Sequence, residues 1–324
     1  MPIVDMPLHE LRKYNGRNPK PADHEEYWKR ALNELDRTDP CVKLVPAEFK
    51  TDIAECFDLY FTGVKGARIH TKLLIPKENS EPAPALIKFH GYAGNSGDWQ
   101  SKLGYAASGF VVAAMDCRGQ SGLSEDRGGV AGNTLQGHII RGLDDPDPDN
   151  LLFRQIFLDT AMLARIVMDM PFVDKNKTGV MGSSQGGGLT LACSSLVPGI
   201  RKLAPSCPFL CDYQRVWEMD LAKDAYIELK QYFRNFDPTH QREEEVFTKL
   251  GYIDLQFLVD RIQGEVLMVT GLMDTVCPPS SQFAAYNKIK AQKEIVIYPD
   301  FGHEFYPGFD DRVYQFMMEL KHNA

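Results

Sequence analysis

The chain has 324 residues, 44% hydrophobic and 25% charged, long enough to bury a large core, and its longest apolar stretches, such as 111–115, fall far short of the ~20 residues a membrane-spanning helix needs. A net charge of -8 leaves no basic surplus to neutralise phosphates or anionic lipids, which argues against nucleic-acid or membrane-surface partners and for small-molecule chemistry. Seven scattered cysteines and an opening 1–16 without a basic-then-apolar signal point to a reducing, cytoplasmic setting, while Cys207 and Cys211, the one close pair, lack the second CxxC or paired histidines of a metal site, so no metal is expected.

In chain order, Asp23 and Glu26 form a capping-box pattern. Trp28, Ala31, Leu32 and Leu35 then recur at the spacing of one helix face, predicting an amphipathic helix over 23–36. Two β-rich runs, 54–62 and 68–76, flank a glycine turn and predict an antiparallel pair. Short continuous apolar runs follow at 85–89, 110–115, 178–181, 266–270 and 295–298, each ending in glycine or a polar residue, as strands covered on both faces do. Helical segments at 98–107, 151–170, 185–196, 280–291 and 310–322 lie between or after them. The alternation predicts one α/β domain over 1–324, with a mostly parallel central sheet and helices on both faces.

Two segments break the pattern. The glycine-rich, then acidic stretch 120–150 is too long for an ordinary connection and reads equally as functional, interfacial or disordered. The stretch 212–263 carries Tyr226, Leu229, Tyr232, Phe233 and Phe236 at helical spacing and predicts a helical insertion, either a lid or extra core.

Directly after the run 178–181 stands Gly182-Ser183-Ser184-Gln185-Gly186, a G-x-S-x-G match leading into a predicted helix. A nucleophile elbow needs this arrangement, because the serine sits in a strained turn whose flanking positions tolerate little beyond hydrogen. A serine hydroxyl needs a base, itself oriented by a carboxylate, and in the α/β-hydrolase order the acid and then the histidine follow late strands. Asp274 follows the run 266–270 and His303 follows 295–298, so Ser184, Asp274 and His303 are the candidate triad; Asp300 competes for the acid role but shares the loop of His303. Oxyanion donors are expected from the backbone N–H groups of Gln185 and of Tyr92, in the turn His90-Gly91-Tyr92. His90 is expected to hold that turn rather than act as a base.

These motifs, with Lys88 to Tyr92, Arg118-Gly119-Gln120, Gly271 to Pro279 and Gly302-His303-Glu304, make the chain resemble the cephalosporin C deacetylase and acetyl xylan esterase family, carbohydrate esterases of the α/β-hydrolase fold. The resemblance covers nearly the whole chain. It implies removal of acetyl groups from acetylated sugars, xylo-oligosaccharides and cephalosporin C, without metal or organic cofactor, by an intracellular homohexamer that admits small substrates. Ser183 departs from the glycine common at that position, and 142–154 departs from the family's tyrosine-rich stretch. Two rival readings remain: a serine peptidase of the same fold, and a catalytically silent binding protein.

Overall fold

The computed structural model describes residues 4–78, 82–127 and 137–322. Two helices open the chain, α1 (Leu8–Leu11) and α2 (His24–Arg37), followed by strands β1 (Lys43–Pro46), β2 (Ala54–Thr62) and β3 (Arg68–Pro76). Strands and helices then alternate as β4 (Ala83–Phe89), α3 (Leu103–Ala107), β5 (Val111–Met115), α4 (Leu152–Met168), β6 (Val173–Ser183), α5 (Gln185–Leu196) and β7 (Ile200–Ser206). Helices α6 (Tyr213–Glu218), α7 (Ile227–Phe236) and α8 (Glu243–Leu250) precede β8 (Glu265–Gly271), α9 (Pro279–Tyr286), β9 (Lys293–Tyr298) and α10 (Phe309–His322).

All nine strands join one sheet in the order β1-β2-β3-β5-β4-β6-β7-β8-β9. Pairing is antiparallel from β1 to β3 and between β3 and β5, and parallel from β5 across to β9, which is the α/β-hydrolase fold. Register brings the carboxyl ends of the parallel strands level: Phe89 pairs with Gly182, Ser183 with Ser206, and Gly271 with Tyr298. The loops leaving those ends therefore share one edge of the sheet, where open α/β sheets place their ligands.

Both faces of the sheet are covered, so its central strands are apolar on both sides; every residue of β5 is buried. The larger core layer joins the sheet to α2, α4 and α5, with Trp28 of α2 stacked on Phe157 of α4 at 6.1 Å. A second layer on the opposite face takes Ala106 at the end of α3 and Val313, Phe316 and Met317 of α10. Tyr226, Leu229, Tyr232 and Phe233 are buried in the larger layer, so the insertion is packed as core and not as a detached lid.

Several expectations need correction. The capping box does not form: Asp23 makes no side-chain cap, because its carboxylate accepts the Tyr252 hydroxyl. Strand β7 is absent from the predicted runs; its Lys202 is 4% exposed and is neutralised by Glu265 and Glu319 at 2.6 and 2.7 Å. Helix α9 ends at Tyr286, short of the expected 291, and 98–107 begins as a tight 3-10 turn over Trp99–Lys102. Of the long segment 120–150, residues 128–136 lie outside the described residues; on its far side Ile139, Ile140 and Leu143 are buried.

Candidate active site

Strand β6 ends at Ser183, and Ser184 turns the chain into α5 with φ 57° and ψ -119°, a left-handed conformation that costs a non-glycine residue strain. The turn packs closely because the positions two residues to either side of Ser184 are glycine. A Cβ on Gly186 would lie 2.2 Å from the Phe89 carbonyl oxygen, and one on Gly182 would lie 2.6 Å from the same atom. Backbone bonds fasten the elbow to β7: the Ser184 N–H donates to Ser206 O at 2.9 Å, and Phe209 N–H donates to Ser184 O at 3.0 Å.

Ser184, His303 and Asp274 lie in one hydrogen-bonded line. His303 Nε2 is 2.9 Å from Ser184 Oγ, and Nδ1 is 2.8 Å from Asp274 Oδ2. Asp274 is fully buried after β8, held by N–H groups of Val276 and Cys277 on Oδ1 at 2.9 and 2.8 Å, and by Gln282 Nε2 on Oδ2 at 3.2 Å. Burial by itself would lower the basicity of His303. The Asp274 hydrogen bond outweighs it, with help from Cys207 and Cys277, so the ring holds a proton more tightly than an ordinary histidine. An arrangement of this kind makes a hydroxyl nucleophilic and stabilises the imidazolium formed when it loses its proton.

The turn 90–92 abuts the elbow, since a Cβ on Gly91 would lie 3.9 Å from the Ser183 carbonyl oxygen. His90 is a structural residue there. Its Nε2 accepts the Cys117 N–H at 3.0 Å, which obliges Nδ1 to carry the hydrogen and donate to Gly91 O at 2.7 Å. Burial lowers its pKa and keeps the ring neutral. Gln185, the first residue of α5, has a backbone N–H with no intrahelical acceptor by position. Its side chain forms a reciprocal amide pair with Gln120, at 2.7 and 3.0 Å.

Gln120, in the Arg118-Gly119-Gln120 run, has no role that sequence reasoning assigns. Arg118 of that run is buried and grips Asp159 of α4 through two bonds of 2.6 Å, which fixes the turn that presents Gln120. Glu228 of α7 was missed as well; it accepts the Tyr92 hydroxyl. Among the described residues, Cys207, Asp274 and His303 are the one set of metal-ligating side chains that converges, with donor atoms within 4.8 Å of one another. Asp274 already satisfies both oxygens with protein donors, so the set suits proton transfer better than a resident ion. Cys211 lies apart, its thiol against Phe209 O at 3.7 Å.

A family model described as acetyl xylan esterase (AXE1) matches residues 1–320. The chain is similar to the crystal structure of acetyl xylan esterase 1 from Thermoanaerobacterium sp. JW/SL YS485, with 62% identity and TM-score 0.96 over 98% of this chain and 99% of that one. It is also similar to acetyl xylan esterase from Paenibacillus sp. R4, with 32% identity and TM-score 0.92 over 97% and 99% of the two chains. Acetyl esterase Axe7A of Xylanibacter ruminicola is 26% identical over 297 residues, 90% of this chain; the chain spans 64% of the length of that relative.

Proposed function

The chain belongs to the acetyl xylan esterase family, and from that premise we propose that it removes acetyl groups from acetylated xylo-oligosaccharides and related sugars by a serine acyl-enzyme mechanism. Ser184 Oγ attacks the acetyl carbonyl while His303 Nε2 takes its proton; Asp274 steadies the imidazolium. The developing oxyanion is held by the backbone N–H groups of Tyr92 and Gln185. His303 returns the proton to the leaving sugar hydroxyl, then draws a proton from water, whose attack releases acetate and regenerates Ser184.

The observation that carries this reading is the unbroken line from hydroxyl to imidazole to buried carboxylate, at 2.9 and 2.8 Å. Its test is hydrolysis of 4-nitrophenyl acetate. Turnover lost in Ser184→Ala is the expected result, and wild-type turnover in that variant would remove the mechanism. The acetoxymethyl group of cephalosporin C belongs to the proposed range because the sequence resembles enzymes acting on it. Tyr92, half-buried beside the elbow, supports a preference for acetyl over longer acyl chains. Comparable rates on acetate and octanoate esters would contradict that preference, and acetate release from xylo-oligosaccharides, monosaccharide acetates and a cephalosporin ranks the substrates.

The further parts of the proposal are a homo-oligomer, a hexamer by family resemblance, and a cytoplasmic setting without nucleic-acid or membrane partners. Exposed Leu44, Leu123 and Phe305 support self-association, and seven free thiols support a reducing compartment. Among the described residues no helix is long and apolar enough to cross a membrane. Sedimentation of the purified chain measures the assembly; a monomer at micromolar concentration would refute it.

A further inference from the structure

Glu228 is a buried carboxylate, 2% exposed, on a helix whose sequence gives it no obvious task. It collects four donors from two segments distant from it in the chain. Its Oε1 accepts the Tyr92 hydroxyl and the His138 N–H, the latter at 3.0 Å. Its Oε2 accepts the N–H groups of Ile139 and Ile140 at 2.8 and 3.2 Å. Three successive backbone N–H groups aimed at one anion form a nest, filled here by the chain's own side chain. The fit leaves no slack: a Cβ on Gly137 would lie 1.7 Å from Oε2.

What this carboxylate holds is the residue beside the elbow. Burial, and then the charge of Glu228, keep the Tyr92 phenol protonated and therefore donating. The Tyr92 ring is wedged edge-on between His138 and Phe209, with centroids 5.6 and 5.8 Å away. A leucine at 228 would fill similar volume without desolvating a charge, so the carboxylate contributes direction rather than bulk. From this convergence we propose that Glu228 is a positioning residue for acyl transfer: it locks Tyr92 to the segment 137–140 and so sets the aim of the Tyr92 N–H at the oxyanion. It touches no reacting atom. The proposal rests on the reading of Tyr92 as an oxyanion donor.

The test is Glu228→Gln in the full chain, assayed on 4-nitrophenyl acetate beside Ser184→Ala. Glutamine keeps the volume but turns an amino group toward N–H groups that already donate. Misaiming one oxyanion donor should lower kcat roughly 10- to 100-fold, with KM changed less than about threefold. Inactivation by an aryl phosphonate, whose anionic oxygen occupies the oxyanion position, should slow in parallel. Tyr92→Phe removes the bond by which Glu228 holds Tyr92, so it should lower kcat to a similar extent on its own and nothing further when added to Glu228→Gln. If Glu228→Gln does not fold, Gly137→Ala presses on the same contact and should show the same selective loss in kcat. A folded Glu228→Gln or Gly137→Ala protein with wild-type kcat, or with a change in KM alone, overturns the proposal. Inactive Ser184→Ala beside an unaffected Glu228→Gln would sink the positioning role only; active Ser184→Ala would sink the acyl-enzyme reading itself.

Discussion

His70 and His303 each set a ring nitrogen against a buried carboxylate, and they differ in what the other nitrogen meets. His70, on β3 and 1% exposed, sets Nδ1 at 2.6 Å from Asp116 Oδ2 and Nε2 at 2.8 Å from Asp58 Oδ1. Both nitrogens face carboxylate oxygens, and the ring is a cross-link between β2, β3 and the turn after β5. Asp116 extends the clamp by accepting the N–H groups of Ser96 and Leu123 at 2.6 and 2.9 Å. His303 has a carboxylate on one nitrogen only and the Ser184 hydroxyl on the other. A hydroxyl can both give and receive a proton; an ionised carboxylate can only accept a hydrogen bond. On the proposed mechanism, that single exchange of partner separates a ring that moves protons from one that fastens strands.

The contrast can be broken first at the proposed catalytic ring, His303. His303→Ala should cut turnover of 4-nitrophenyl acetate by on the order of 10⁴-fold or more, while its urea midpoint stays close to wild type. Asp274→Asn should cost about 10⁴-fold by removing the anion that orients and charges the ring. It also shifts the pH profile. His303 must be neutral to act as base, and Asp274 raises its affinity for protons, so the acid limb of kcat/KM lies above the ordinary histidine value of about 6.5 and moves down in Asp274→Asn. An acid limb unchanged in the variant would break the argument.

His70→Ala reverses the pattern. Leaving Asp116 buried without its ring partner should lower unfolding free energy by about 3–5 kcal/mol, read by denaturant titration, while turnover per folded molecule changes less than about tenfold. The last effect concerns a buried carboxylate held by the N–H groups of Asp212 and Gln256. Burial and then Asp212 raise the pKa of Asp254 to about 7. The stability it contributes is therefore complete below about pH 4, its unfolded range, and is lost as pH rises through 7. Asp254→Asn should flatten that part of the stability profile, measured as denaturant midpoints between pH 4 and 8.

Much of the fold was legible because its signals are local. The period of Trp28, Ala31 and Leu35 announced α2, and the runs 54–62 and 68–76 coincide with β2 and β3 to the residue. Strand β7 was invisible because the glutamates that neutralise Lys202 come from β8 and α10. The same division holds at the site. Ser184 is marked by its own neighbours, and Asp274 and His303 by the strands they follow. Glu228 looks like the solvent face of an amphipathic helix until folding brings 138–140 against it, 88 to 90 positions away in the chain. Gln120 likewise gains meaning only from Gln185, 65 residues on. Partnerships across such separations leave no periodic trace.

The tie made by His90 has a consequence for life in acid. Only one tautomer of that ring fits, because the Cys117 N–H already occupies Nε2. A second proton there would set two hydrogens face to face and part the loop after β4 from the loop after β5. Because burial depresses the folded pKa below the unfolded one, this contribution is present above the ordinary histidine range and disappears as pH falls through the depressed value. The ring thus ties the loop after β4 to the loop after β5 through a bond that a second proton on the imidazole removes.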